Sequence, residues 1–267
     1  MSLNTDILSV INEKDLYEND LTSYVSVLQK RGDPTKLDEL AGFRDFKRST
    51  IDEAGIFYIG DMAEMLIPSF IEKLDNLGVI SETNKKPIFR ERWVMPIKNE
   101  KGNVQNLVGY SPYFNERYIY GTSKYYRRRE TLYGLENLEM AYDLGYAFLT
   151  EGITDTIRLR DLGFKNSFAM CGTHTSPYVI NQLNRCKHGV IMFPDRDDAG
   201  IKAHKAWQFN RSVTIYINFQ FKDVDGMCKN SQENKEILLE YIEACKNYIL
   251  SEEHQGKQYP RESVTIQ

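Results

Sequence analysis

Residues 146–155 read YAFLTEGITD, residues 189–200 read GVIMFPDRDDAG, and residues 213–225 read VTIYINFQFKDVD. Each stretch is an apolar run of strand length that is followed by carboxylates. Helical segments with glycine or proline at their ends separate the runs, and this alternation predicts a parallel sheet with helices on both faces. The expected helices are 136–144, 153–162, 176–186 and 198–209, and the expected strands are 146–150, 167–170, 189–193 and 213–218. The fold class is therefore α/β.

The segments on either side have a different pattern. Residues 1–80 are expected to be mostly helical, with helices over 15–31 and 61–77 and an interruption at Pro68. Residues 93–97 and 103–110 flank a turn with Gly102, which predicts a hairpin. A helix over 233–250 is expected before a disordered polar tail that starts at Ser251. We divide the chain into an α+β subdomain (1–140), the parallel-sheet domain (141–228) and a C-terminal helix with its tail (229–267).

The composition excludes several classes of protein. The chain has 267 residues, of which 41% are hydrophobic and 27% charged, with a mean hydropathy of -0.50. It has no apolar run long enough to span a membrane and no secretory signal pattern. Its four cysteines form no CxxC pair, so we expect reduced thiols and a cytoplasmic location. The net charge is -4. Basic residues nevertheless cluster at Lys85, Lys86, Arg90 and Arg92, and again at Lys124, Arg127, Arg128 and Arg129, so phosphate binding remains open.

The carboxylates that follow the strands indicate a metal site. In open parallel sheets, ligands bind outside the carboxyl ends of the strands. Glu151, Asp195, Asp197, Asp223 and Asp225 all fall at that edge. Carboxylates that converge repel one another unless a cation joins them, and oxygen ligands without His or Cys favour Mg²⁺ or Mn²⁺. The alternative for each carboxylate taken singly is a loop residue or a helix cap.

Four motifs in this region resemble the Toprim domain, and more narrowly that domain of bacterial and phage DnaG-type primases. They are Glu151-Gly152-x-x-Asp155, Cys171-Gly172-Thr173, Asp195-x-Asp197-x-Ala199-Gly200 and Lys222-Asp223-x-Asp225. Upstream, residues 89–97 (FRERWVMPI), Ser123-Lys124-Tyr125 and residues 132–135 (LYGL) resemble primase segments in the family's order. The family's arginine after a glycine pair is replaced by Tyr110, and the segment before Leu132 is shorter than usual.

The resemblance implies a role for each motif residue. Glu151, Asp195 and Asp197 would be catalytic and would hold Mg²⁺ or Mn²⁺, and Asp223 and Asp225 would help to hold a second ion. Lys124, Arg128 and Arg129 would bind nucleotide phosphates, and Arg90, Arg92 and Arg127 would guide nucleic acid. Asp155 and Asp198 would orient basic partners or cap a helix, and the loop at Gly172 and Thr173 would present backbone N–H groups to phosphate. For Tyr118, Tyr120, Tyr125 and Tyr126, core packing is favoured over base stacking.

The function that the resemblance implies is that of a DNA-dependent RNA primase core. Such a core makes short RNA primers on a single-stranded DNA template from ribonucleoside triphosphates, by phosphoryl transfer with two or more Mg²⁺ or Mn²⁺ ions. No zinc is expected, and the sequence leaves open whether a zinc-binding module acts in trans from another chain or has been lost. No GxxxxGK[ST] motif occurs, so a helicase would be a separate protein. The expected location is the cytoplasm, or the host cytoplasm if a phage encodes the protein.

Two alternatives stay open. One is another Toprim enzyme, such as a metal-dependent nuclease. The other is a non-catalytic binder of single-stranded DNA.

Overall fold

The computed structural model describes residues 3–61, 65–81, 86–122, 124–126, 131–171, 176–198, 200–201, 207, 209–217, 220–251 and 262–265. The chain divides into two compact units. The first unit contains residues 1–43 and 47–127, and the second contains residues 44–46 and 128–267. The domain boundaries expected from the sequence, after residues 140 and 228, stay a prediction. Among the described helices, none is long and apolar enough to cross a membrane.

The first unit packs helices on a four-stranded antiparallel sheet. Its helices are α1 (Leu3–Arg31), α2 (Pro34–Arg44, whose last residue is counted with the second unit) and α3 (Arg48–Glu53), and Pro68–Lys73 form a 3-10 helix. Its strands are β1 (Phe57–Ile59), β2 (Arg92–Lys98), β3 (Val104–Tyr110) and β4 (Tyr118–Tyr120), in the order β1-β2-β3-β4. The apolar stripe of α1, which includes Leu21, Tyr24 and Leu28, belongs to the same buried core as Val94 and Leu107 of the sheet. The hairpin predicted around Gly102 is confirmed.

The second unit is built on a six-stranded sheet. Its strands are β5 (Leu132–Tyr133), β6 (Tyr146–Thr150), β7 (Ser167–Met170), β8 (Gly189–Phe193), β9 (Ser212–Tyr216) and β10 (Glu262–Thr265). Its helices are α4 (Leu138–Leu144), α5 (Ile153–Asp161), α6 (Pro177–Leu183), α7 (Val224–Cys228) and α8 (Gln232–Leu250), and a 3-10 turn covers Leu135–Asn137. The order is β10-β9-β8-β6-β7-β5, and only β5 pairs antiparallel. The predicted α/β class is confirmed.

Side-chain alternation along the strands fills both faces of this sheet. Phe148 and Ile191 pack in one core, which α8 supplies with Leu238 and Ile242. The neighbouring residues Leu149 and Met192 point into a second core, which contains Val179 and Leu183 of α6. Because both faces are covered, the strands can be continuously apolar, and this is why they were recognisable in the sequence.

Two expectations outside the central strands were wrong. Pro68–Lys73 form a 3-10 helix rather than an α-helix. The short strand Phe57–Ile59 was not expected, but it lies in a region that is mostly helical, as predicted. Glu262–Thr265 of the expected disordered tail pair in parallel with β9. An edge strand needs only backbone hydrogen bonds, so its polar sequence gave no apolar signal. The helix expected over 198–209 lies mostly outside the described residues.

A fully buried arginine fastens the helices at the carboxyl edge of the second sheet. Arg158 of α5 has 0% side-chain exposure, and its guanidinium donates to Asp225 Oδ1 from Nε (3.1 Å) and from Nη2 (2.9 Å). It also donates to the backbone carbonyls of Arg44 and Asp45 and lies 4.4 Å from the centre of the Phe46 ring. Arg158 therefore joins α5, the start of α7 and the segment 44–46 within one unit.

The rest of this network neutralises and positions Asp225. Arg44 Nη1 lies 2.5 Å from Asp225 Oδ2, so each carboxylate oxygen of Asp225 has an arginine partner. The Asp225 N–H donates to Asp155 Oδ1 at 2.8 Å. Asp155 and Arg158 are three residues apart on α5. Asp155 binds the backbone N–H of Asp225, and Arg158 binds its side chain. This pair of contacts fixes where α7 begins.

We predict that Arg158→Met lowers the free energy of unfolding by about 3–5 kcal/mol, because it leaves buried Asp225 short of a partner and removes the donor to two carbonyls. Denaturant unfolding measures the loss. Arg185→Met on the exposed surface is the matched control and should change the free energy of unfolding by about 1 kcal/mol or less. If Arg158→Met unfolds within 1 kcal/mol of the wild type, roughly the size of an ordinary hydrogen bond, Arg158 does not fasten this edge.

Candidate metal and nucleotide site

The predicted carboxylates meet at the carboxyl edge of the second sheet. Strands β6 and β8 are parallel neighbours with Thr150 opposite Phe193, so Glu151 and the loop after β8 emerge side by side. The Asp195 N–H donates to Glu151 Oε1 at 3.2 Å. Gly200 closes over both residues: a Cβ at that position would lie 2.6 Å from the Asp195 carbonyl oxygen and 2.7 Å from Glu151 Oε1. Any larger residue at position 200 would push these two acids apart.

A lysine joins the two aspartates of the loop after β8. Lys222 Nζ lies 3.2 Å from Asp195 Oδ2 and 3.0 Å from Asp197 Oδ2. The Asp195 side chain is 16% exposed and that of Asp197 is 43% exposed. Asp197 Oδ1 also accepts the Gly200 N–H at 2.8 Å, which orients this carboxylate. Sequence reasoning included Lys222 in a motif but gave it no role.

Burial and the charges of neighbouring acids raise the pKa values of carboxyl groups at this edge. Burial, and then the negative charge of Asp195, raise the pKa of Glu151 to about 7. Burial also raises the pKa of Asp195, although the ammonium of Lys222 opposes this shift. The pKa of Asp155 is raised well above its usual value, first by burial and then by Asp223. The edge of the sheet therefore carries negative charge that is only partly neutralised by the protein.

Asp223 and Asp225 have different environments despite their alternation in the sequence. Asp223 caps α7, because its Oδ1 accepts the Gly226 N–H at 2.7 Å, and its side chain is only half-buried. Asp225 is 2% exposed, and both of its oxygens are paired with arginines. These contacts favour a supporting role for Asp225. Its role as a metal ligand stays a prediction that the contacts do not favour.

The residues at this edge suit a hard divalent cation by their chemistry. The donors are carboxylate oxygens only, and the Lys222 ammonium already bridges two of them as a cation would. Within the described residues, no three acidic, His or Cys side chains form a preformed metal-binding group. Glu151, Asp195 and Asp197 therefore fit a metal ion in donor type, and side-chain rotation would have to complete the coordination.

Arg92 and Lys124, which were predicted to contact nucleic acid and nucleotide, each have a partner within the first unit, but only Arg92 is buried by its contacts. Arg92 is 4% exposed, and its guanidinium donates to the carbonyls of Glu116 and Arg117 and packs on the Phe114 ring. These contacts favour a structural role for Arg92 in the loop between β3 and β4. Lys124 Nζ lies 3.8 Å from a Glu13 oxygen and is 64% exposed, so it can still reach a phosphate.

The remaining predicted residues fall into two groups. Arg90 is 59% exposed beside Glu91 and Asp198 is exposed, so both are accessible to a ligand. Arg127, Arg128, Arg129, Gly172 and Thr173 lie outside the described residues. The roles predicted for all of these residues stay predictions.

The tyrosines considered as stacking surfaces pack within the first unit. Tyr125 and Tyr126 lie 5.0 and 5.9 Å from the Tyr17 ring, centre to centre. Tyr118 packs on Tyr110 at 5.0 Å, and Tyr110 is 2% exposed. Tyr118, Tyr125 and Tyr126 are all half-buried, and the last two pack against the core of the first unit, which agrees with the packing that the sequence favoured for them. Tyr110, which replaces the family's arginine, is a core residue.

Sequence reasoning missed two residues that support the site. Arg158 lies one helical turn after Asp155 on α5, and Arg44 precedes the α5 network by more than a hundred residues. The first had a weak signal, since a basic residue stood on the same helix face as a buried acid. The second had none, because only the folded chain brings Arg44 to Asp225.

The region that carries these motifs is similar to proteins of known family. Residues 148–228 match the family described as Toprim-like. The DNA primase of Borreliella burgdorferi is 32% identical over 157 residues, which cover 54% of this chain and 29% of the primase. The DNA primase of Thermotoga maritima is 27% identical over 235 residues, 82% of this chain and 41% of the primase. The chain thus spans less than half the length of these relatives.

Solved structures with a similar fold are catalytic cores of primases. The zinc-binding and RNA polymerase domains of the Aquifex aeolicus primase align with a TM-score of 0.71 and 22% identity, over 85% of this chain and 61% of that one. A DnaG primase catalytic domain bound to single-stranded DNA aligns with a TM-score of 0.70 and 19% identity, over 86% of this chain and 80% of that one. The resemblance predicted from the motifs is confirmed: residues 148–228 match the Toprim-like family, and the chain has the fold of a DnaG-type primase catalytic core.

Proposed function

We propose that this chain is the catalytic core of a DNA-dependent RNA primase. The observation that supports the proposal most strongly is the placement of Glu151, Asp195 and Asp197 beside one another at the ends of parallel strands β6 and β8. The primase relatives and the fold of the DnaG core agree with it. The substrates would be ribonucleoside triphosphates, and the template would be single-stranded DNA.

The chemistry would be nucleotidyl transfer assisted by Mg²⁺ or Mn²⁺. Glu151, Asp195 and Asp197 would hold the metal, which when bound favours attack by a 3′-hydroxyl and neutralises charge on the phosphoryl group. Asp223, half-buried at the start of α7, would contribute to a second ion. Gly200 keeps Glu151 and Asp195 close, and Asp155 and Arg158 fix the start of α7.

Exposed basic side chains of the first unit would contact the nucleic acid and the nucleotide. Arg90 and Lys124 have their charged groups in solvent, so they are the described candidates for phosphate contacts. Arg127 is proposed for the template, and Arg128 and Arg129 are proposed for the nucleotide, by the resemblance alone. We propose a cytoplasmic location, a separate helicase and a zinc-binding module in trans as the setting of the reaction.

The two alternative functions, a nuclease and a non-catalytic binder, differ in what happens to DNA at the acidic edge of the second sheet. A metal-dependent nuclease would cleave the template, and a non-catalytic binder would hold it without reaction. The close placement of three acids favours an enzyme over a binder. The upstream segments that resemble primases favour synthesis over cleavage.

We predict that the chain makes short RNA products on single-stranded DNA with ribonucleotides and Mg²⁺ or Mn²⁺, read on a denaturing gel. Asp195→Asn should lower the rate by at least roughly 100-fold, because it weakens the site for a metal that stabilises charge by several kcal/mol. Asp143→Asn removes the same charge from the exposed surface of α4 and should leave the rate unchanged. Template cleavage without synthesis would favour the nuclease, and binding without any reaction would favour the binder.

A second prediction concerns the buried acid. In chelator at pH 8, Glu151→Gln should raise the free energy of unfolding by about 1 kcal/mol, because the wild-type site must hold an ionised carboxylate in a crowded, partly buried place. One pKa unit corresponds to about 1.4 kcal/mol, and partial exposure of Glu151 reduces the effect. The amide keeps an oxygen that can accept the Asp195 N–H.

The direction in which stability changes with pH follows from the direction in which the pKa of Glu151 is shifted. The folded-state pKa of Glu151, about 7, lies above the ordinary value of a glutamate side chain, 4.5. Wild-type stability therefore falls as pH rises through this window and stays low above it. The difference between variant and wild type should shrink toward pH 5, where the folded wild type has bound the proton. Thermal melts across pH 5–8 measure it, and a difference that does not depend on pH would contradict the assignment.

A further inference from the structure

Lys222 lies in a position that the proposed reaction does not explain. Its Nζ is within 3.2 Å of Asp195 Oδ2 and 3.0 Å of Asp197 Oδ2, so one ammonium bridges two of the three proposed metal ligands. Its backbone carbonyl accepts the Arg196 N–H at 2.8 Å, between the two aspartates in the sequence. The backbone of Lys222 is therefore fixed to the loop that carries both acids.

The side chain of Lys222 is held less firmly than its backbone. It is 59% exposed, and its four-carbon chain has many rotamers in solvent. An ordinary surface salt bridge contributes little to stability, so exchange of the ammonium for another cation is not expensive. The loop is anchored, while the charged end of the lysine can move.

A divalent ion and the ammonium would compete for the same oxygens. Asp195 and Asp197 would hold the metal with the same carboxylates that accept the Lys222 ammonium, so the two cations would compete for these groups and repel each other. A divalent cation interacts more strongly with a carboxylate pair than a single positive charge does. Repulsion between the two cations would therefore favour release of the lysine from one or both acids when the metal binds.

A released ammonium at this edge has a fitting partner in the proposed reaction. The incoming triphosphate brings several negative charges to the metal, and lysine binds phosphate as a mobile point charge. We propose that Lys222 is an exchangeable counter-ion: it neutralises Asp195 and Asp197 before metal binding, is displaced by the divalent ion, and then binds the triphosphate of the nucleotide. This inference rests on the proposed function, because it takes the metal site and the nucleotide substrate from it.

The first test measures metal binding without nucleotide or catalysis. Free Mn²⁺ is followed by electron paramagnetic resonance while protein is titrated. Lys222→Met should bind Mn²⁺ about 5–10-fold more tightly than the wild type, since two exposed ion pairs no longer compete. Lys222→Arg keeps the charge and should stay within about twofold of the wild type, and Lys187→Met, an exposed lysine elsewhere, should not change the affinity. Equal or weaker Mn²⁺ binding by Lys222→Met would overturn the exchange.

The second test adds a non-hydrolysable ribonucleoside triphosphate at saturating Mn²⁺. Lys222→Met should weaken its binding by about tenfold, the loss of roughly one charge-assisted contact, while Lys187→Met should not. Tighter Mn²⁺ binding with unchanged nucleotide affinity would overturn the triphosphate contact.

Asp195→Asn separates this inference from the proposed function. If the wild type binds Mn²⁺ and Asp195→Asn does not, the metal site stands and the Lys222 variants decide the exchange. If wild-type Mn²⁺ binding does not depend on Asp195, the proposed metal site fails, and the exchange fails with it.

Discussion

The second unit depends on the burial of Arg158 with its hydrogen-bond donors directed at acceptors. A guanidinium without solvent exposure is costly unless it is paired, and here Asp225 and the carbonyls of Arg44 and Asp45 supply the partners. The same contacts leave little freedom in where α7 starts relative to α5. The position of Asp223, the first residue outside that helix, follows from them. The ion pair between Arg158 and Asp225 takes no part in the proposed chemistry. It nevertheless determines the position of Asp223, one of the acids proposed to hold metal.

The two acids of the Asp223-Val224-Asp225 stretch show why spacing alone does not assign ligands. Alternation in an extended segment would direct both side chains the same way, and the resemblance to the Toprim domain implies that both acids help to hold a second ion. The chain turns into α7 at Asp223, so the alternation ends there. Asp223 becomes a cap at the half-exposed start of the helix, and Asp225 turns inward to the two arginines. The backbone changes from extended to helical within three residues, so the side chains of Asp223 and Asp225 have different environments.

The central sheet and the acidic edge could be predicted because their signals are local. Buried parallel strands read as apolar runs, and the acids that follow them fall at one edge by topology. Other features depended on contacts that no local pattern records. Strand β10 pairs in parallel with β9, Arg92 donates to two carbonyls of a loop, and Arg44 reaches Asp225 only in the folded chain. Basic residues were the least predictable, since a long side chain can reach solvent, a carbonyl or a carboxylate from the same backbone position.

Charge at the acidic edge is balanced in two different ways. At Asp225 the balance is permanent, because Arg44 and Arg158 are themselves buried and held by other contacts. At Asp195 and Asp197 the balance comes from one exposed lysine, and burial together with the negative charge of Asp195 raises the pKa of Glu151 to about 7. A site that must accept a divalent ion needs this second arrangement, since a permanently neutralised carboxylate has little attraction left for metal. We therefore expect the exposure of the counter-ion, more than the number of acids, to distinguish the proposed metal ligands from the residues proposed to support them.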